Sequence, residues 1–429
     1  MIRSKTDDVK QPERPRLRDI MGPGLITGAS DDDPSGIGTY SQAGAQFGFG
    51  LAWTLIITYP LMAAVQEISA RIGRVTGRGI AGNLKTYYPA WLLNVIVGLL
   101  VIANIINIGA DLGAMGSALQ LLIGGPALLY VAGFAVISCL LEIFVRYSRY
   151  VSVLKYLTLA VLSYVVTVFV VGVPWGDVLR AIVLPPLSFD KNYILIVVGV
   201  LGTTISPYLF FWQAEEEVEE EQENPKKAPL VEQPKQARNE FYRIRLDTYV
   251  GMGLSNLVAL FIMLTTAVTL GAHGVTNIQS SSQAAEALRP IAGPFAFALF
   301  ACGIIGTGLL ALPVLAGSAA YALGEARRWP VGLAKKAGRA KAFYGTIAVA
   351  TLIGCAMNFT PIDPIQALFV SAVINGIVAG PVMVTMMLMT HRRDIMGGFT
   401  LPPVLTILGW VATGAMILSI AALAIVSFV

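Results

Sequence analysis

The stretch Gly28-Ala29-Ser30-Asp31-Asp32-Asp33-Pro34-Ser35-Gly36-Ile37-Gly38 lies inside the first long apolar region of the chain. An uninterrupted membrane helix has no use for three consecutive carboxylates followed by a proline. Pro34 has no N–H to donate, so the carbonyl four residues back, on Ser30, loses its helical partner. Gly36 and Gly38 add backbone freedom at the same place. Irregular backbone at membrane depth survives only where it is buried in protein or lines a wet cavity. The stretch therefore predicts a helix broken at mid-membrane, with the Ser30 carbonyl and the Asp33 carboxylate offered to a cation. The alternative, a polar entry loop just outside a helix, is opposed by the apolar sequence on both sides.

Composition agrees with a membrane setting. The 429 residues are 55% hydrophobic and 13% charged, with a mean hydropathy of +0.69. That is a polytopic membrane protein. Residues 1–19 are polar and basic, without the short apolar core of a cleavable signal peptide. Cys139, Cys302 and Cys355 are far apart in apolar segments and read as small core residues. His273 and His391 are the only histidines, which leaves no histidine cluster for catalysis or zinc.

Apolar windows of about 20 residues predict eleven spans: 20–48 (broken), 51–71, 91–123, 127–146, 150–173, 192–213 (broken), 247–271, 292–325, 342–358, 364–390 and 401–428. With the N-terminus in the cytoplasm, 27 of the 30 Lys and Arg residues fall on the cytoplasmic side. Only Arg180, Lys191 and Arg289 fall outside, which is the asymmetry expected of a cell-membrane protein. The C-terminus then faces out. The same placement accounts for the formal charge of +4 without nucleic acid.

A second break is predicted in Gly202-Thr203-Thr204-Ile205-Ser206-Pro207-Tyr208 of span 6, where Pro207 frees the carbonyl of Thr203. Interrupted helices at corresponding positions of two halves point to an inverted-repeat secondary transporter and to its site. The predicted fold is all-α: inverted five-helix repeats of the leucine-transporter type, plus one extra C-terminal helix. The expected organisation is a cytoplasmic tail 1–19, a first repeat 20–173, an outer loop 174–191, a second repeat 192–390, and a connection with the eleventh helix, 391–429. Residues 214–246, which begin the acidic run Glu215 to Glu223, read as a partly disordered cytoplasmic loop. Its glutamates read as a solvated face, with cation collection at the inner mouth as the alternative.

The residues at the two breaks resemble the NRAMP family of divalent-metal transporters (natural resistance-associated macrophage proteins). That family carries Asp-Pro-Gly-Asn in span 1 and Ala-x-x-Met-Pro-His in span 6. Here the motifs read Asp33-Pro34-Ser35-Gly36 and Thr203-x-x-Ser206-Pro207-Tyr208. Ala70-Arg71-Ile72-Gly73-Arg74-Val75-Thr76-Gly77-Arg78 is similar to the family's Ala-Arg-Leu-Gly-x-Val-Thr-Gly-Arg, and Ala110-Asp111-Leu112 to its Thr-Asp-Leu. Gly36 stands for the family's metal-binding Asn, Ser206 for its Met, Tyr208 for its His, and Ala114 for a Glu. These departures resemble the NRAMP-related magnesium transporters, which implies uptake of Mg²⁺ and Mn²⁺ without coupled protons.

Ligand chemistry points the same way. A thioether suits later transition metals, whereas carboxylate, carbonyl and water suit Mg and Mn. Gly36 and Ser206 are expected to empty volume around Asp33, and Mg²⁺ keeps several waters beside one or two carboxylates. The expected metal site is Asp33 as the charged ligand, with Ser30, Gly36, Thr203 and Ser206 supplying neutral or water-mediated contacts. Asp111, Asn375 and Tyr208 are candidates for the ion path. Asp31 and Asp32 either hold a water or cap the break. Glu67 with Arg71, and Glu142 with Arg146, have the spacing of helix-surface pairs.

The function read here is import of divalent cations, Mg²⁺ and also Mn²⁺, by uniport. The partners are the cation and the lipid bilayer, with no resident cofactor and no obligate protein partner. A proton-coupled Mn²⁺/Fe²⁺ symporter is the alternative. An amino-acid carrier is opposed by the carboxylates at the break. An enzyme is opposed by the lack of any Ser/His/Asp or metalloprotease spacing, and a sensor by the lack of a large soluble domain.

Overall fold

The computed structural model describes residues 23–145, 162–278, 280–361 and 363–428. The tail 1–19 and the first part of the fifth span, with Arg146, lie outside the described residues. Every regular element among the described residues is helical.

Both predicted breaks are present. The first span is α1 (Pro23–Asp31) and α2 (Pro34–Phe47). Pro34 occupies the first turn of α2, where its missing N–H costs nothing. Asp33 is the N-cap, its side chain accepting from the Gly36 N–H. The sixth span is α9 (Lys191–Thr204) and α10 (Pro207–Glu223), again with proline opening the second half. In chain order the other helices are α3 (Ala52–Thr76), α4 (Ile80–Tyr87), α5 (Ala90–Ile123), α6 (Ala127–Phe144), α7 (Ser163–Val170), α8 (Trp175–Val183), α11 (Ala237–Thr269), α12 (Ser281–Glu286), α13 (Arg289–Ala292), α14 (Ala296–Arg327), α15 (Lys341–Met357), α16 (Pro364–His391), α17 (Arg393–Met396) and α18 (Pro403–Phe428).

Seven described segments, with α9 and α10 taken together as one, are long and apolar enough to cross a membrane, or eight if α7 and α8, bent by 112°, form one span. That test does not establish the expected eleven. It passes over α3, which carries Glu67, Arg71 and Arg74, over the two short halves of the first span, and over the 17-residue α15. The outer segment 174–191 is not wholly loop, because α8 lies within it. Exposed apolar side chains such as Ile102, Val136, Phe169, Val349, Ile407 and Leu418 coat the outside of the helices, as a lipid-facing surface requires.

The half-helices are clasped by longer helices. α11 packs along α1, α2 and α3, and α16 packs on α5, α9 and α2. Two contacts are backbone against backbone. A Cβ on Gly28 would collide with Gly251 of α11, and one on Gly202 would collide with the Ala372 carbonyl and Gly376 of α16. Small residues allow this approach, in which apolar packing replaces the missing hydrophobic drive in lipid.

The acidic run corrects the expected loop 214–246. α10 continues to Glu223, and α11 begins at Ala237, so only a short connection separates them. Nor is the run a solvated face. Arg74, fully buried on α3, donates to Glu221 at 2.8 Å, Glu240 at 3.2 Å, Gln236 at 3.0 Å and the Ala228 carbonyl at 2.7 Å. Arg243 pairs with Glu217, and Lys227 with Glu220 at 2.8 Å. Arg74 of α3, Arg243 of α11 and Lys227 of the connection neutralise Glu221, Glu217 and Glu220 and allow the helix to persist. The Glu67–Arg71 pair also forms, at 2.6 Å, yet Glu67 is buried rather than on a helix surface. Glu142 accepts from Ser138 at 2.9 Å; the expected pair with Arg146 lies outside the described residues. Of the cysteines, Cys302 is exposed rather than a core residue.

Candidate metal site at the paired breaks

The fold brings the two breaks into contact. The Tyr208 hydroxyl, in the first turn of α10, donates to Asp33 Oδ2 at 3.1 Å and reaches the Ser30 carbonyl at 3.4 Å. The Tyr40 hydroxyl on α2 meets Thr204 Oγ1 at 3.4 Å. Asp33 itself is buried, and its Oδ1 accepts the Gly36 N–H at 2.6 Å. That N–H belongs to the positive end of the α2 dipole.

Ser30, Thr203 and Ser206 are buried at the two breaks. Their bonding differs from expectation in one respect. The Ser206 hydroxyl turns back and donates to the carbonyls of Gly202 at 2.8 Å and Thr203 at 2.9 Å. The Thr203 carbonyl is therefore not left free by Pro207, although each carbonyl retains a second lone pair and the Ser206 oxygen can still accept or ligate. The expected extra volume at Gly36 is absent too. A Cβ there would sit 3.3 Å from the Asp31 carbonyl, from Thr203 Oγ1 and from the Tyr40 ring.

Of the three path candidates, Tyr208 is on Asp33 directly. Asp111, fully buried on α5, faces Asp33 and the backbone N–H of Ser35, though neither of its oxygens meets a donor in good hydrogen-bond geometry. Asn375, on α16 next to the Gly376–Gly202 contact, is buried with an unpartnered Oδ1. Asp31 and Asp32 share one donor, Ser255 of α11, at 2.6 and 3.1 Å. Their role in the structure is to tie the end of α1 to α11, and Asp247 does the same at its start by accepting the Gly24 N–H at 2.6 Å.

Sequence reading missed Ser255, which has no distinguishing context. It also missed Asn107, which is buried with both amide atoms unpartnered. Asn107 was detectable, because it lies four residues before Asp111 and so on the same helix face.

The donors assembled at the breaks are all oxygen: the Asp33 carboxylate with Asp111 and the Asp31/Asp32 pair nearby, hydroxyls, and carbonyls at half-helix ends. No three His, Cys, Asp or Glu side chains form a ready metal cage among the described residues. Such a set fits a hard cation that retains part of its water. A cavity of about 640 Å³ opens at the end of α5, lined by Gly113, Ser117, Gln120, Ser281, Asn358 and Asp363 among others. Gly113 is two residues beyond Asp111.

Comparison with known proteins extends over almost the whole chain. The family model described as natural resistance-associated macrophage protein-like matches residues 24–426. A divalent metal cation transporter, MntH, of Deinococcus radiodurans is 25% identical over 405 residues, covering 92% of this chain and 87% of that protein. The MntH of Yersinia pestis strain Pestoides F is 27% identical over 311 residues, covering 71% and 72%. The fold is shared with a manganese transporter of Eremococcus coleocola, at TM-score 0.74 and 16% identity over 96% of this chain and 88% of that one. It is shared more distantly with inward-facing Mhp1, at TM-score 0.51 and 14% identity, covering 95% and 91%. The family match spans both breaks and every helix that clasps them, and the chain belongs to the Nramp family.

Proposed function

We propose that this protein carries divalent metal cations, Mn²⁺ and Mg²⁺, across the cell membrane, binding them at Asp33 between the two broken helices. The observation that carries this reading is the Tyr208–Asp33 contact, which puts the Asp33 carboxylate of the first break against the opening turn of the second half-helix. Relatives that carry the names of divalent metal cation and manganese transporters support the substrate class. Asp33 supplies the charge, and Ser30, Gly36, Thr203 and Ser206 surround it with backbone and hydroxyl oxygens. The cavity that reaches Gly113 is the approach, with Asp111 and Asn375 lining the way. Residues 20–173 and 192–390 are read as the inverted repeats of an eleven-span protein, N-terminus inside and C-terminus outside.

Oxygen at position 206, in place of sulfur, favours hard ions. A dication needs no coupled proton for uptake: one charge crossing ~100 mV is worth ~2.3 kcal/mol, so two gain roughly 4.6 kcal/mol, on the order of a thousandfold accumulation. Uniport driven by the membrane potential is therefore sufficient.

One observation favours the second reading, a proton-coupled Mn²⁺ symporter. Asp111 is not an isolated acid, because the charge of Asp33 acts on it through space. Flux of a panel of divalent cations into proteoliposomes tests the proposal. Uptake of Mn²⁺ and Mg²⁺ is expected, and a protein that moves neither is not this transporter.

A further inference from the structure

The far end of α10 presents a second pair of carboxylates. Arg243, Lys227 and Arg74 neutralise Glu217, Glu220 and Glu221 on one side of the helix. Glu215 and Glu219 turn the other way, into a cavity of about 250 Å³ that Glu223, Glu325, Tyr321 and Lys335 also line. Glu219 is fully used: it accepts from the Tyr321 hydroxyl and from the backbone N–H groups of Leu333 and Ala334. Glu325, near the end of α14, accepts the Gly79 N–H at 2.8 Å and the Gly82 N–H at 2.7 Å, so both its oxygens sit on the N-terminus of α4.

Glu215 has no such provision. It is 2% exposed, and no donor reaches its Oε1. Its neighbour is the Glu325 carboxylate: a Cβ on Gly79 would run into Glu215 Oε1 and Glu325 Oε2 together. Two buried carboxylates in contact repel strongly unless a cation or a proton lies between them. The cations nearby do not fill that place. Arg78 acts on Glu325 through space and Lys335 lines the wall, and neither donates to Glu215 Oε1. Glu325 already spends both oxygens on N–H donors.

We propose that Glu215 and Glu325 form a second divalent-cation site, distinct from Asp33, that binds hydrated Mn²⁺ or Mg²⁺ through two carboxylates and water. Two carboxylates with several retained waters is the coordination Mg²⁺ prefers, and each water needs about 30 Å³, which the cavity provides. Glu215 lies eight residues beyond Pro207 on the same helix, about 12 Å along its axis, so one ion cannot serve both places. The site joins α10, α14 and the start of α4.

The test is the number of Mn²⁺ ions bound per full-length chain, counted from the loss of the free-ion signal in electron paramagnetic resonance. Wild type should bind two, Glu215→Gln one, Asp33→Ala one, and the double variant none. The amide of Glu215→Gln copies a protonated acid and can donate to Glu325, so it preserves a proton-shared pair. Wild-type stoichiometry in Glu215→Gln therefore overturns the proposal in favour of a shared proton. A wild type that binds a single ion, lost in Asp33→Ala, overturns it whether or not the Glu215 variant folds. Retention of both ions by Asp33→Ala would count against the Asp33 reading and leave the second site to be judged by Glu215→Gln alone.

Discussion

The Tyr208 hydroxyl donates to Asp33 Oδ2 at 3.1 Å, so the second half-helix holds the carboxylate of the first. A cation arriving at Oδ2 competes with that proton. Hydrogen bonds to charged groups contribute about 1.5–3 kcal/mol. Tyr208→Phe is therefore expected to tighten Mn²⁺ binding, by about ten- to a hundredfold at ~1.4 kcal/mol per decade. Isothermal titration of wild type and variant measures it. Weaker binding in the variant would make the hydroxyl oxygen a ligand rather than a competitor.

Selectivity should turn on position 206. Ser206→Met introduces a soft sulfur and releases the Gly202 and Thr203 carbonyls that the hydroxyl now holds. The variant should bind Cd²⁺ more tightly and transport Mg²⁺ more slowly than wild type, measured by titration and flux. Unchanged Cd²⁺ affinity would remove this residue from the selectivity account. The companion change Gly36→Asn should be poorly tolerated, because its Cβ meets three atoms at 3.3 Å.

Stability should depend on Arg74. Its removal leaves Glu221 and Glu240 without their shared cation in a buried place, and breaking a buried pair from one side costs about 3–5 kcal/mol. Arg74→Ala should lower the thermal midpoint in detergent by several degrees. Arg74→Lys should not restore it, because one ammonium cannot reproduce a guanidinium that bonds through Nε, Nη1 and Nη2 at once. A lysine variant as stable as wild type would contradict this.

The two breaks were legible in the sequence because proline acts locally: Pro34 and Pro207 specify their own helix starts whatever surrounds them. Asp33 followed from the same arithmetic, as the residue immediately before a first-turn proline. The acidic run was misread for the opposite reason. Its composition is that of a solvated loop, and its neutralising partners are remote, Arg74 being 147 residues from Glu221. The room expected around Gly36 was equally invisible, since Tyr40 and Thr203 close it from a neighbouring turn and a distant helix. Sequence gave no means of seeing that the Ser206 hydroxyl would satisfy the carbonyl Pro207 releases.

Energy coupling separates the two transport readings. Under uniport, Mn²⁺ entry into proteoliposomes rises with an inside-negative potential set by potassium and valinomycin, and a pH dye inside stays constant. Acidification in proportion to Mn²⁺ entry would establish proton coupling, and its loss in Asp111→Asn would identify the carrier.

The central claim is that Asp33 binds the transported ion. Asp33→Asn is the most direct variant, because the amide oxygen still caps α2 by accepting the Gly36 N–H while the charge is gone. The measurement is the initial rate of Mn²⁺ uptake into proteoliposomes by monodisperse Asp33→Asn protein. Uptake at the level of protein-free vesicles is the predicted result, and uptake at the wild-type rate would contradict the account.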